Sequence, residues 1–155
     1  MLLRIVAAGT RLPAWVDAGF DDYAGRLRGE YRLELTEIAL GPRSGPDVRR
    51  ALRSEGERML AAIGDRTAVV ALQVGGQAYS TAQLAAWLAE RARDGRDLAF
   101  CIGGPDGLAE AVDARARWRW SLSTLTLPHA LARVVVAEAL YRAVSVIRGL
   151  PYHRP

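Results

Sequence analysis

The chain has 155 residues, half of them hydrophobic, and carries a net charge of +4 from 21 basic and 17 acidic side chains, so residues 1–155 read as a single domain with enough apolar matter for a core. One cysteine, Cys101, excludes an internal disulfide and any cysteine metal cluster. The start "MLLRIVAAG" lacks the apolar stretch and cleavage site of a signal peptide, and no run approaches the ~20 apolar residues of a membrane span, so a cytoplasmic protein with no membrane association is expected.

"LLRIVAAG" reads as a short strand. "LPAWVDAGFDDYAGRLRG" follows as a helix, with Pro13 near its start and Trp15, Ala18, Phe20 and Tyr23 at helical spacing. "YRLELTEIAL" is strand-like, with Leu33, Leu35 and Glu37 on one face, and "GPRSGP" is a loop. "DVRRALRSEGERMLAAIG" is an amphipathic helix, with Asp47 as N-cap and Gly64 as its stop. "TAVVALQV" is a buried strand and "GGQAY" a turn. "STAQLAAWLAERARDG" opens on a capping box from Ser80 to Gln83 and closes near Gly95. "DLAFCIGG" is the next strand. A short helix around "LAEAVDARA", a short strand around "RWSLS" and a long helix from about His129 to Arg148 complete the series.

Strands alternating with helices predict an α/β fold, a mostly parallel sheet with helices on both faces. Ligands of such sheets bind beyond the carboxyl ends of the strands. Three loops then share one edge: "LQVGGQ", "IGGPDGL" and "LSTLTLPHA".

The glycines at 103, 104 and 107 match neither a dinucleotide fingerprint nor a Walker A loop, since no lysine follows. That leaves a phosphate cradle, a flat ligand against bare backbone, or a tight turn holding nothing. In residues 122–127, Ser123, Thr124 and Thr126 alternate with Leu122, Leu125 and Leu127, which suits either an adenosine-like ligand or a plain connection into the last helix. Pro128 fits that helix's first turn.

On the last helix, Val136, Leu140, Ala143, Val144 and Ile147 share one side, while Glu138, Arg142, Ser145 and Arg148 share another. Glu138 and Arg142 are four apart in the favourable acid-first order. Arg133 falls near the apolar side and needs a partner: a ligand carboxylate, a phosphate or a second subunit. The tail brings together Tyr152, His153 and Arg154, which either hold a splayed base and its phosphate or fill a groove. The two histidines, His129 and His153, flank this helix without carboxylate ligands nearby, so no metal is expected. Every basic residue is arginine, which permits RNA binding without requiring it.

"IGGPDGL", "LSTLTLPHALARVVVAEALYRA" and the terminal "PYHR" together closely resemble the large-subunit ribosomal RNA methyltransferase H family, of the SPOUT class. The similarity runs from "VAAGTRLPAWV" through "SEGERMLAAI" to the tail. The resemblance implies an α/β sheet whose C-terminal segment is threaded into a trefoil knot. It implies a homodimer that uses S-adenosyl-L-methionine to methylate N3 of a pseudouridine in a 23S rRNA hairpin loop, on the assembled ribosome. It carries the cofactor site to Leu72, Gly103, Gly104 and the run Leu122, Ser123, Thr124, Leu125, Thr126 and Leu127.

N3 of the base is weakly acidic and becomes a nucleophile once deprotonated. Candidate proton acceptors are His129, His153 and, if not locked to Arg142, Glu138. Arg142 and Arg154 are candidates to stabilise charge on the base, and Tyr152 to stack on it. Two other readings remain at this stage: a nonenzymatic ribosome- or RNA-binding module with the same fold, and a flavin- or nucleotide-binding domain.

Overall fold

The structure is a computed structural model that describes residues 1–43 and 45–153. Five strands form one sheet: β1 (Leu2–Ala8), β2 (Arg32–Ile38), β3 (Ala68–Ala78), β4 (Leu98–Ile102) and β5 (Trp118–Ser121). Five helices link them or follow: α1 (Ala14–Ala24), α2 (Arg49–Ile63), α3 (Thr81–Arg93), α4 (Glu110–Arg115) and α5 (His129–Ile147). A single 3-10 turn, Pro151–His153, ends the described chain. The strand order is β2-β1-β4-β3-β5, with every neighbouring pair parallel.

Alternation along the strands sorts the side chains to two faces. Leu3, Ile5, Val70, Leu98 and Phe100 face the layer of α1, α3 and α5. Val6, Val69, Ala99 and Cys101 face α2 and α4, with Met59, Ile63 and Val112. β4 lies between β1 and β3 and is buried along its whole length, as a continuous apolar run in a parallel sheet requires. Among the described residues, no helix is long and apolar enough to cross a membrane.

The capping box is present: Ser80 Oγ accepts from the Gln83 amide at 3.1 Å, and Gln83 Oε1 accepts from the Ser80 amide at 2.9 Å. Gly64, at φ 76°, stops α2 where a residue with a Cβ would be strained.

Some expectations change. The α1 face is set by Val16 and Phe20; Trp15 is 55% exposed and Ala18 is exposed, because a helix that buries Val16 and Phe20 turns those two outward. The N-cap of α2 is Val48, and Asp47 instead accepts from the Arg49 amide one residue earlier in the turn. "GGQAY" is not a separate turn, because β3 continues to Ala78. Leu72 and Gln77 both pair with Trp120, so the intervening residues 73–76 bulge out of register. Ser145 is buried rather than on a solvated face, and its hydroxyl donates to the Tyr141 carbonyl one turn back.

Candidate active site

β4, β3 and β5 are neighbours, so their carboxyl ends deliver three loops to one place. These loops and the start of α5 enclose a cavity of about 620 Å³. That lies within the range of small-molecule sites. Leu72, Gln73 and Val74 come from the β3 bulge, and Ile102 to Pro105 with Gly107 and Leu108 from the turn after β4. Trp120, Leu122, Ser123, Leu125, Thr126 and Leu127 come from β5 and its loop, and Pro128, His129 and Ala132 from the entry to α5.

Residues 104–107 form a tight turn, in which the Gly107 amide donates to the Gly104 carbonyl at 3.1 Å. Pro105 takes the position where its fixed φ is an advantage, and Gly107 closes the turn at φ +83°. A Cβ at Gly103 would strike the backbone of Gly107 and come within 2.6 Å of the Leu108 nitrogen. The glycine there lets the strand end and the turn touch, main chain to main chain. After β5, Ser121 Oγ donates to the Ser123 carbonyl at 3.0 Å, and Ser123 Oγ accepts from the Leu125 amide at 2.9 Å. These bonds fix the loop from within and leave leucine side chains and backbone groups to line the cavity.

His129 stands at the mouth of α5, on the cavity wall, with its Nδ1 buried and without a hydrogen-bond partner among the described residues. Burial, then the nearby positive charge of Arg133, hold its imidazole below the usual 6.5. Arg133 is 0% exposed. Its partners lie within the chain: Glu37 Oε2 at 2.6 Å and the Gly9 carbonyl at 2.7 Å. The expected ligand or second-subunit partner for Arg133 is therefore replaced by Glu37, which lies at the exposed carboxyl end of β2.

The sequence candidates divide into two groups. Leu72, Gly103, Gly104, Leu122, Ser123, Leu125, Thr126, Leu127 and His129 all line the cavity; the exposed Thr124 does not. Glu138, Arg142 and Tyr152 form a second cluster. His129 and Glu138 are nine residues apart on α5, about 14 Å along its axis. Glu138 Oε1 is held by Arg142 at 2.6 Å and by the Tyr152 hydroxyl at 3.1 Å, so its role as a free proton acceptor gives way to one as an anchor. Burial first, then bonds to Tyr23 and Glu138, push the Tyr152 phenol up to about 12 and keep it neutral. His153 is half-buried in the final 3-10 turn, and its Nδ1 has no hydrogen-bond partner among the described residues. Arg154 lies outside the described residues.

Spacing in the sequence does not reveal Gln73 or Trp120. Gln73 reaches the cavity only because β3 bulges, and Trp120 because β5 ends where that bulge rejoins it.

A family model described as "Predicted SPOUT methyltransferase" matches residues 1–153. The chain belongs to the SPOUT methyltransferase family. It is 50% identical to "Ribosomal RNA large subunit methyltransferase H" of Methylococcus capsulatus (strain ATCC 33009 / NCIMB 11132 / Bath), over 99% of this chain and 100% of that one. It is 54% identical to the protein of the same name from Alkalilimnicola ehrlichii (strain ATCC BAA-1101 / DSM 17681 / MLHE-1), over 99% of each. The fold of this SPOUT methyltransferase is also that of a solved structure described as "The structure of a probable methylase family protein from Haemophilus influenzae Rd KW20". That match has a TM-score of 0.59 at 14% identity and covers 99% of this chain and 70% of that one.

Proposed function

We propose that this SPOUT methyltransferase transfers a methyl group from S-adenosyl-L-methionine to N3 of a pseudouridine in a 23S rRNA hairpin loop, with the assembled ribosome as substrate. The observation that carries the reading is the cavity. Its leucines offer an apolar slot for an adenine ring, and its glycine turn allows close approach of backbone. The His129 imidazole on its wall gives it a polar group without fixed charge. These residues suit an adenosine sulfonium. The full-length likeness to relatives named as large-subunit rRNA methyltransferases supports the substrate class.

The bound nucleoside supplies an electrophilic methyl, so the protein's part is alignment and exclusion of water. Leu122, Leu125 and Leu127 cover the slot, and Gly103 and Gly104 present backbone groups to it. His129 is neutral at pH 7 and can take the N3 proton. Tyr152 offers a stacking ring and Arg142 a positive charge, both held by Glu138. Within one chain this cluster stands well away from His129. The homodimer implied by the resemblance carries a second copy of this cluster, on the partner. The same reading includes the trefoil threading of the C-terminal segment, one domain over residues 1–155 and a cytoplasmic location beside its ribosomal substrate.

Mass spectrometry of 23S rRNA loop nucleosides, with and without the gene, tests this. The methylpseudouridine is expected to vanish without the gene and return with purified protein, S-adenosyl-L-methionine and ribosomes. An unchanged nucleoside profile refutes the assignment.

A further inference from the structure

The loop between β2 and α2 carries an arginine far from the cavity in sequence and bound to its wall in space. Arg43 Nη2 meets the two carboxylate oxygens of Glu55 at 3.1 and 3.3 Å. Its Nε donates to Asp106 Oδ2 at 2.8 Å, and its Nη1 to the Gly41 carbonyl at 3.1 Å. Glu55 is 3% exposed, in the body of α2. A buried carboxylate needs a counter-charge, and Arg43 supplies it among the described residues. The guanidinium is thereby fixed from below, and its free edge points Nε at Asp106, within the Gly104–Gly107 turn.

The surrounding packing makes this a rigid joint. A Cβ at Gly41 would come within 2.8 Å of Ala51 Cα, so the loop lies directly on α2. A Cβ at Gly104 would meet Leu40 Cδ2 at 2.9 Å and Glu55 Oε1 at 3.7 Å, so the turn rests on the same support. The opposite side of that turn is cavity wall. Arg43 itself does not line the cavity.

We infer that Arg43 is a positioning residue for the nucleoside pocket: bridging Glu55 to Asp106, it holds the Gly103–Leu108 turn in the shape that receives the cofactor. This rests on the cavity being the S-adenosyl-L-methionine site. The planar guanidinium is suited to the task, because it bonds two carboxylates along different edges at once. An ammonium group serves one of them well.

Full-length protein carrying Arg43→Gln, Arg43→Lys, Asp106→Ala or Arg43→Gln with Asp106→Ala is titrated calorimetrically with S-adenosylhomocysteine. Each of Arg43→Gln and Asp106→Ala is expected to weaken binding about ten-fold, and the double variant no further, as one shared interaction demands. Arg43→Lys recovers part of the loss. On ribosomes, KM for S-adenosyl-L-methionine rises while kcat at saturation stays within about two-fold. Hydrogen exchange quickens at residues 103–108 in Arg43→Gln. Wild-type affinity in both single variants, or additive losses in the double, overturns the proposal and leaves the methyltransferase reading intact. A loss in Arg43→Gln alone, with Asp106→Ala unaffected, also overturns it, since the effect then lies in α2. Absence of any binding by the wild-type protein overturns the cavity reading and this proposal together.

Discussion

The hydroxyl of Tyr152 donates to Glu138 Oε1, the same oxygen that Arg142 grips. Arg142 also lies 4.9 Å from the centre of the Tyr152 ring, and Tyr141 packs on that ring at 4.6 Å. The tail is thus a docked element that presents an aromatic face and a held guanidinium. Deletion of residues 152–155 is expected to leave S-adenosylhomocysteine affinity within about two-fold, because Tyr152 and His153 do not line the cavity. Methyl transfer to ribosomes should fall about 100-fold or more. Calorimetry and methyl incorporation separate the two effects, and full turnover by the truncated protein contradicts a role for the tail.

Gly103 tolerates no side chain, because the obstacle is the backbone of its own turn. Gly103→Ala should destabilise the protein by about 2 kcal/mol and weaken nucleoside binding, as the turn shifts to make room. Gly75→Ala, where a Cβ meets nothing within 4 Å, is the matched control and should change neither. Urea melts and calorimetry on the two variants check this; equal behaviour is inconsistent with the steric account.

Glu37 supplies the counter-charge of a fully buried arginine, at 2.6 Å. Glu37→Ala leaves the Arg133 guanidinium with carbonyl partners and no anion. The expected cost is about 3 kcal/mol, read as a shift in the denaturation midpoint at constant m-value.

His129 is held below 6.5 in the folded protein by burial and by Arg133. As pH falls, the unfolded chain takes up this proton first, so stability is complete above 6.5 and declines as pH drops through that value. His129→Gln removes the titration and should flatten the wild-type decline between about pH 7 and 5. Parallel slopes in urea melts of the two proteins would exclude the effect.

Burial raises the Cys101 thiol to about 12. Thiol reagents should therefore fail to modify the native protein at pH 8 and react fully in urea. Prompt labelling of folded protein would show that β4 is open to solvent.

The alternation of strands and helices made the parallel sheet legible, and the placing of loops after parallel strands made the cavity legible before any coordinate. Local signals were sound where the contacts are local, as at Ser80–Gln83 and Gly64. Trp15 misled because its helical spacing to Ala18 drew a face one residue away from the one that Val16 and Phe20 bury. The partner of Arg133 was hidden by a separation of 96 residues, and the joint from Arg43 to Asp106 by one of 63. Neither has a periodic signature. The β3 bulge was mistaken for a turn because Gly75 and Gly76 resemble punctuation. Gly76 in fact lets β3 pass against the backbone of Arg119.

The position of β4 between β1 and β3 has a consequence for synthesis. As the nascent chain emerges, β1 and β3 exist before the strand that must separate them. They have no shared partner until residues 98–102 are made, and the roof from β5 arrives later still. Biogenesis of the pocket is thus a late, long-range event, dependent on the last third of translation, and slow by the standards of proteins built from local contacts. Stalled or truncated chains will accumulate as species with a raw, apolar seam, a natural substrate for chaperones.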